Sequence, residues 1–437
     1  MWKLLKNAWK VTEVRKKLIF TFMMLVVIRF GSVLPIPGVN TSYFDTLLNN
    51  LSGTDAFGWF NAMTGGSFTD LSVFALSITP YITSSIIMQL LTIAIPALEQ
   101  LQKDGEEGRK KIQEYTRYLT VALALIQSSA MAIGFGGQGM LYTFNVWNVI
   151  VCIVTMTAGS ALLMWIGERI TERGIGNGIS IVLLFNIISS LPDDLATLFT
   201  VFIQGKNVAV TVVIVLIILA CIAAMVVYTI VLNDATRKIP VQYSRKVQGS
   251  RVGSGTSIPL KVNTAGVIPV IFASSIMSMP VVIASFLNVD YSTIGGKILL
   301  MLNSSSWVNP AYPWASVGLV LYIVLVILFA YFYTSITFNP LEVANNMKKN
   351  GGFIPGIRPG KPTSDYLNRI LSYIIFIGAV GLTIVCVIPI VISGLFGVGH
   401  LSFMGTSLII IVGVVLETIK QVESQLLVRN YKGFLND

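Results

Sequence analysis

Charge is what this 437-residue sequence has least of. Asp, Glu, Lys and Arg make up 11% of it, against roughly 25% in an ordinary soluble domain. That is too little to cover a globular surface in water, and soluble enzyme folds are excluded. Histidine occurs once, as His400, and cysteine three times, as Cys152, Cys221 and Cys386. Each cysteine falls in a different apolar run, so the spacing suits neither a disulfide framework nor a metal site. No Walker A pattern occurs, and the nearest string, Gly360-Lys361-Pro362, lacks the preceding loop and the hydroxyl residue. Nothing in the chain hydrolyses a nucleotide, no catalytic constellation is visible, and no cofactor is implied.

What the sequence has instead is apolar length: 54% apolar residues and a mean hydropathy of +0.76. Bilayer-spanning helices need about 17 to 25 such residues each. Ten runs qualify, with cores near 18–34, 72–95, 119–135, 146–167, 178–191, 208–232, 265–287, 315–336, 370–395 and 401–416. The fold class is therefore an all-α polytopic membrane protein. An even number of spans returns both termini to one side, and the basic residues test that independently, because Lys and Arg concentrate on the cytoplasmic side. Of the 30 basic residues, 27 lie on alternate connections, within 3–17, 103–117, 169–173, 237–261, 348–369 and 420–432. The opposite face holds Lys206 and Lys297 against six aspartates, and Arg29 lies inside the first span. The net +10 thus resolves into +13 on the cytoplasmic face, −4 outside and +1 within the membrane. Both termini are expected in the cytoplasm.

Residues 1–17 read as an interfacial amphipathic helix, with Trp2, Leu5 and Trp9 on one side and lysines on the other. A cleavable signal peptide is the rival, but no small-residue cleavage site closes the apolar run. An N-terminal half is expected over 18–207, a C-terminal half over 208–419 and a cytoplasmic tail over 420–437.

Two spans differ from the bland Val/Ile/Leu runs. From Phe60 to Leu91 the chain is crowded with Gly, Ser, Thr and Pro. Gly65-Gly66 breaks it, with a helix expected from about Ser72. Irregular backbone at membrane depth is tolerated only when buried in protein or lining water. Tight helix packing on small residues is the alternative; it accounts for Ser84 and Ser85 but poorly for the Gly-Gly break. The fifth span is short and follows the Gly-rich string 174–178, a pattern that points to a pathway near the midplane. A brief echo, Pro80-Tyr-Ile82 against Pro269-Val-Ile271, relates span 2 to span 7. With five spans per half, such repeats must be inverted.

No span carries an acid at its centre, whereas ion-coupled transporters keep carboxylates or histidine at depth. Arg29 has a nominal insertion cost of about 2.5–3.5 kcal/mol, which it lowers by reaching the interface or bonding to carbonyls. The pathway must be passive or driven by a docked partner. The basic connections 233–263 and 339–369 suit an acidic protein or RNA, or anionic lipid.

The residues then become familiar. Ile36-Pro-Gly38, Phe74–Ile86, Glu172–Ser180, Pro259–Pro269 and Gly352–Gly360 resemble the motifs of the SecY family, the channel subunits of the bacterial Sec translocase, and the likeness covers essentially the whole chain. The resemblance implies ten helices in two inverted pseudo-symmetric halves around a central pore. It implies a pore ring of Ile78, Ile82, Leu183, Ile187, Ile271 and Ile410. The spacings 78/82 and 183/187 put each pair on one helix face, although core packing accounts for any single one equally well. It implies a plug helix at about 57–70, with Gly65, Gly66, Ser67, Phe68 and Asp70. Here Ser67 stands where a small apolar residue is usual, Asp70 adds a charge, and Ser77 stands where glycine is frequent. Thr83, Gln127 and Met279 match the seam of a lateral gate. Arg245, Lys246, Arg251, Lys348, Lys349 and Arg358 match the docking loops, with Ser250 departing from the usual arginine pair. The implied partners are the SecE and SecG membrane subunits, the SecA motor ATPase, the ribosome, secretory precursor polypeptides and membrane lipid. The implied location is the cytoplasmic membrane of a bacterium, and the implied activity is translocation of unfolded polypeptides and lateral release of transmembrane segments.

Overall fold

The computed structural model describes residues 9–43, 64–202, 208–243, 256–286, 293–308, 312–396 and 406–433. Residues 1–8 and 57–63, together with Arg245, Lys246, Arg251 and His400, lie outside the described residues. The chain runs through α1 (Thr12–Val33), α2 (Thr79–Ala94), the short α3 (Pro96–Lys103), α4 (Glu106–Phe135), α5 (Val146–Arg173), α6 (Gly178–Phe202) and α7 (Val208–Asp234). Strands β1 (Thr236–Tyr243) and β2 (Thr256–Lys261) follow. Then come α8 (Ile268–Phe286), the short α9 (Ile294–Leu302), α10 (Val317–Thr337), the short α11 (Pro340–Lys349), β3 (Gly352–Phe353), α12 (Lys361–Phe396) and α13 (Thr406–Gly433). Leaving out α3, α9 and α11, ten helices among the described residues match the ten expected spans one for one. Five are long and apolar enough by themselves to cross a membrane, and α2 and α3, bent by 107° at Ile95-Pro96, add a sixth as a pair.

Two boundaries differ from the sequence reading. The first-span helix already starts at Thr12, so Arg15, Lys16 and Lys17 belong to it rather than to a separate interfacial helix. Long basic side chains can keep their charges in water while their stems cover apolar surface, so a charged first turn does not end the helix. In span 2 the helix starts at Thr79, not near Ser72. Pro80 fills the first turn, where no backbone N–H is needed, and residues 65–78 form successive turns with Leu71 at φ +47° and Ser77 at φ +51°. Apolar composition alone does not separate such a buried turn from a helix.

The short sequence echo has a geometric counterpart. Three residues before each proline stands a left-handed residue, Ser77 in one half and Gly266 (φ +64°) in the other. The first helical bonds also match: Ile82 N–H donates to the Ile78 carbonyl at 3.1 Å, and Ile271 N–H donates to the Val267 carbonyl at 3.2 Å. Seven residues before each proline, a valine carbonyl presses against a glycine of the fourth span in its half. A Cβ on Gly159 of α5 would lie 2.0 Å from the Val73 oxygen, and one on Gly378 of α12 would lie 2.4 Å from the Val262 oxygen. Separate cores support the division. Ile36, Phe68, Met131 and Met156 share one cluster, and Met225, Met277, Tyr322 and Cys386 share another.

The two basic connections form one small module. β1 pairs antiparallel with both β2 and β3, in the order β2-β1-β3, with Thr236 opposite Lys261 and Gln242 opposite Phe353. Ile239, Leu260, Met347, Ile354 and Leu367 are buried beneath it.

Candidate pore and gate

A funnel of about 1010 Å3 opens on the end of the bundle that carries the sheet. Its walls include Gln89, Gln113, Glu172, Asn177, Lys261 and Lys420. Part of its lining is aliphatic: Ile82 from α2, Leu183 from α6, Ile271 from α8 and Ile410 from α13 all contribute to it. The other two expected ring residues, Ile78 and Ile187, do not line the funnel; both are fully buried. Ile78, Ile82, Leu183, Ile187 and Ile410 pack in one cluster that draws on both halves. Four of the six expected positions thus line the funnel, and five of the six share one apolar cluster.

The described part of the expected plug, Thr64 to Asp70, is a set of tight turns. Gly65 (φ +66°) and Gly66 (φ +86°) take left-handed conformations open to glycine without strain. Ser67 is buried, and its carbonyl accepts from both the backbone and the hydroxyl of Ser72. Phe68 enters the core of the first half beside Met131 and Phe135. Asp70 is exposed, so its charge needs no burial. The segment is stitched to the end of α1: Ile36 N–H donates to Leu71 and Val73 N–H donates to Leu34. Arg29, the one basic residue inside a span, donates from Nη1 to the Gly65 carbonyl at 3.3 Å. Bonding to a carbonyl was one of the two resolutions expected for it.

At the candidate seam, α2 packs on α4 and α8 packs on α10, while direct packing between the two pairs is sparse among the described residues. The three seam residues do not bond one another. Thr83 donates back to Thr79 of its own helix, the buried Gln127 Oε1 has no hydrogen-bond partner, and Met279 is exposed. Of the residues expected to dock partners, Lys348 and Lys349 are exposed in the last turn of α11, where cations complement the helix dipole. Arg358 is exposed in the loop beyond β3.

Several groups at this site had no sequence signal strong enough to select them. Glu168, buried on the funnel wall, accepts from Arg117 Nε at 2.8 Å and from Gln113 Nε2 at 3.2 Å, tying α5 to α4. Asn263 donates to Asn233 at 2.7 Å on the funnel wall, leaving Asn263 Oδ1 and Asn233 Nδ2 unpaired. Asn186, a lone amide in an apolar span, donates to the Ser77 hydroxyl at 2.9 Å. The Gly-rich string before α6 explains itself in close contacts. Gly176 is left-handed, the Thr171 hydroxyl accepts from Gly178 N–H, and a Cβ on Gly178 would lie 1.9 Å from the Gly167 oxygen. Among the described residues no cluster of three metal-ligating side chains occurs.

Comparison with known proteins agrees with this geometry. The family model SecY matches residues 72–419. The protein translocase subunit SecY of Streptomyces scabiei is 43% identical over 98% of both chains. Those of Halalkalibacterium halodurans and Bacillus subtilis are each 39% identical over the whole of both chains. A solved protein-conducting channel superposes with a TM-score of 0.64 at 19% identity, over 94% of this chain and 92% of the other. Sec61 from the canine ribosome–channel complex gives 0.60, also at 19% identity and over the same shares. By sequence over nearly its whole length and by fold, the chain belongs to the SecY family.

Proposed function

We propose that this multi-pass membrane protein passes extended, unfolded polypeptide through the constriction of Ile82, Leu183, Ile271 and Ile410. One observation supports the reading: four helices from both halves contribute aliphatic side chains to a funnel whose walls also carry polar and charged groups. Such a gasket offers no charge or hydrogen bond to hold a passing chain, and an apolar constriction excludes ions by dewetting. Ile78 and Ile187 back it. As a SecY-family chain this is a channel subunit of a translocase, not an enzyme.

The plug, from about 57 to 70, closes the far side by seating Phe68 and by the Arg29 contact to Gly65. Thr83, Gln127 and Met279 mark the seam between α2–α4 and α8–α10, through which a segment of about 20 apolar residues leaves for lipid. The sparse packing there supports the assignment. The sheet module and Arg358 form the docking face, together with Lys348 and Lys349, and Arg245, Lys246 and Arg251 extend it. SecA, the ribosome, SecE and SecG are its partners. The membrane is the cytoplasmic membrane of a bacterium, with both termini on the docking side. Reconstitution with SecE, SecG, SecA and ATP tests this: a secretory precursor becomes protected from protease inside vesicles, and absence of protection would sink the reading.

A further inference from the structure

The connection between α8 and α10 crosses the end of the bundle away from the sheet, because α8 leaves the sheet side at Ile268 and α10 returns to it through α11 and β3. Within that connection, α9 packs on α8, on α10 and on the turn Pro313–Ser316 that leads into α10. Its C-terminal end is held firmly. The Met301 carbonyl accepts from Trp307 Nε1 at 2.7 Å, a Cβ on Gly318 would collide with it, and the buried Trp307 ring meets Tyr322 at 5.4 Å. Its N-terminal end is open on one side. Thr293 caps it by accepting from Gly296 N–H at 3.2 Å, and Gly296 is buried. Ile294, Lys297 and Ile298, three and four residues apart and so on one face, are all exposed. At 80%, Ile294 has the largest fractional exposure of any large apolar side chain among the described residues. Tyr312 and Trp314, both exposed, meet edge to face at 6.2 Å in the adjoining turn.

We infer that α9 is an interfacial anchor: Ile294 and Ile298 enter the bilayer at the boundary of headgroups and acyl chains, and Lys297 takes the phosphate of an anionic phospholipid there. Two observations point to lipid as the occupant. Tyr and Trp rings concentrate at membrane–water boundaries, so Tyr312 and Trp314, just ahead of the apolar α10, mark that level at this end of the bundle. Packing of α9 on the turn that holds Trp314 puts the helix at the same level. The face itself is the second observation: two apolar side chains flank a basic one, as in helices that lie in the boundary plane, and the long lysine stem lets the ammonium reach the headgroups while its carbons stay in the apolar layer. By sequence, the connections at this end carry six aspartates and, besides Lys297, only Lys206. Lys297 is therefore the feature that attracts an anionic headgroup where the surrounding charge repels it. Because α9 packs on both α8 and α10, the anchor sets the depth of both helix ends.

The test uses the full chain with Cys152, Cys221 and Cys386 replaced by alanine, reconstituted with SecE and SecG in vesicles of phosphatidylcholine and phosphatidylglycerol. Ile294→Cys, Ile298→Cys, Val324→Cys and Lys349→Cys each carry one nitrobenzoxadiazole label. Val324, exposed on α10, is the membrane control, and Lys349, exposed on α11, is the aqueous one. Lipid spin-labelled close to the headgroup should quench the labels at 294 and 298 and spare the one at 349. Lipid spin-labelled deep in the chain should quench the label at 324 more than either. Moving the shallow spin label from phosphatidylcholine to phosphatidylglycerol should reveal about fivefold enrichment of the anionic lipid at 294 and 298, which Lys297→Gln abolishes. Labels at 294 and 298 that behave like the one at 349 would overturn the anchor. So would labels shielded from water but not quenched by lipid, since a protein subunit would then cover the face. Equal quenching by the two lipids, or enrichment that survives Lys297→Gln, would overturn the phosphate site. The two isoleucine positions report separately, so if one labelled variant fails to assemble the other decides.

Discussion

The segment Val73–Ile82 and its counterpart Val262–Ile271 share a plan and differ in one respect. Each lays a valine carbonyl on a glycine, turns through a left-handed residue, and starts a helix whose residue two past the proline lines the funnel. The second continues from the sheet, through a bond from Val262 N–H to the Ala235 carbonyl. The first continues from the plug and substitutes a hydrogen-bonded serine for the glycine. The shared features bring Ile82 and Ile271 to the funnel wall by the same route, and the unshared one ties Ser77 to two other helices.

The comparison breaks most visibly at its two glycines. Gly159→Ala and Gly378→Ala each drive a methyl into a carbonyl oxygen that belongs to backbone and cannot swing away. Each should destabilise by about 3 kcal/mol, near the upper end of ordinary single substitutions. Thermal unfolding in detergent checks this, with Gly159→Ala the more severe because its contact is closer. A similar loss in only one half would show that the repeat is not functional in packing. Next in size is Arg117→Met, which leaves Glu168 buried with Gln113 alone. Losing a hydrogen bond to a charged group should cost about 2 kcal/mol, partly restored by adding Glu168→Gln. Gly266→Ala, despite the open space around it, should cost about 1 kcal/mol from the left-handed backbone alone. The smallest effect belongs to the exposed Lys420–Asp234 pair, 2.6 Å apart, which links the end of α7 to the middle of α13. Asp234→Asn should shift stability by less than about 1 kcal/mol, and the shift should vanish in high salt.

The spans, the placement of basic residues and the two-half plan were legible because each is written in composition or in proline position. Ile82 and Ile271 were legible as a pair for the same reason. The late start of α2 was not: Ser72–Ile78 is apolar enough to pass for helix, and only Pro80 marked the true first turn. Asn186 was also hidden. A single amide among Ile, Leu and Phe selects itself only once its neighbour is known, and that neighbour lies 109 residues away. Gly159 and Gly378 look like any other small residue in an apolar helix until the approaching carbonyl is seen. Arg29 was conspicuous as a charge, but its partner, the Gly65 carbonyl, is backbone and leaves no trace in composition.

The pore assignment meets its most direct test in capture of a precursor stalled midway. Cysteines are placed singly at Ile82, Leu183, Ile271 and Ile410 in a chain with Cys152, Cys221 and Cys386 replaced by alanine. Leu216 and Val320, both exposed on the outer surfaces of α7 and α10, serve as controls. A polypeptide threaded through the constriction crosslinks to all four positions and to neither control. Crosslinking at the controls, with the four constriction positions silent while the precursor still crosses, would contradict it.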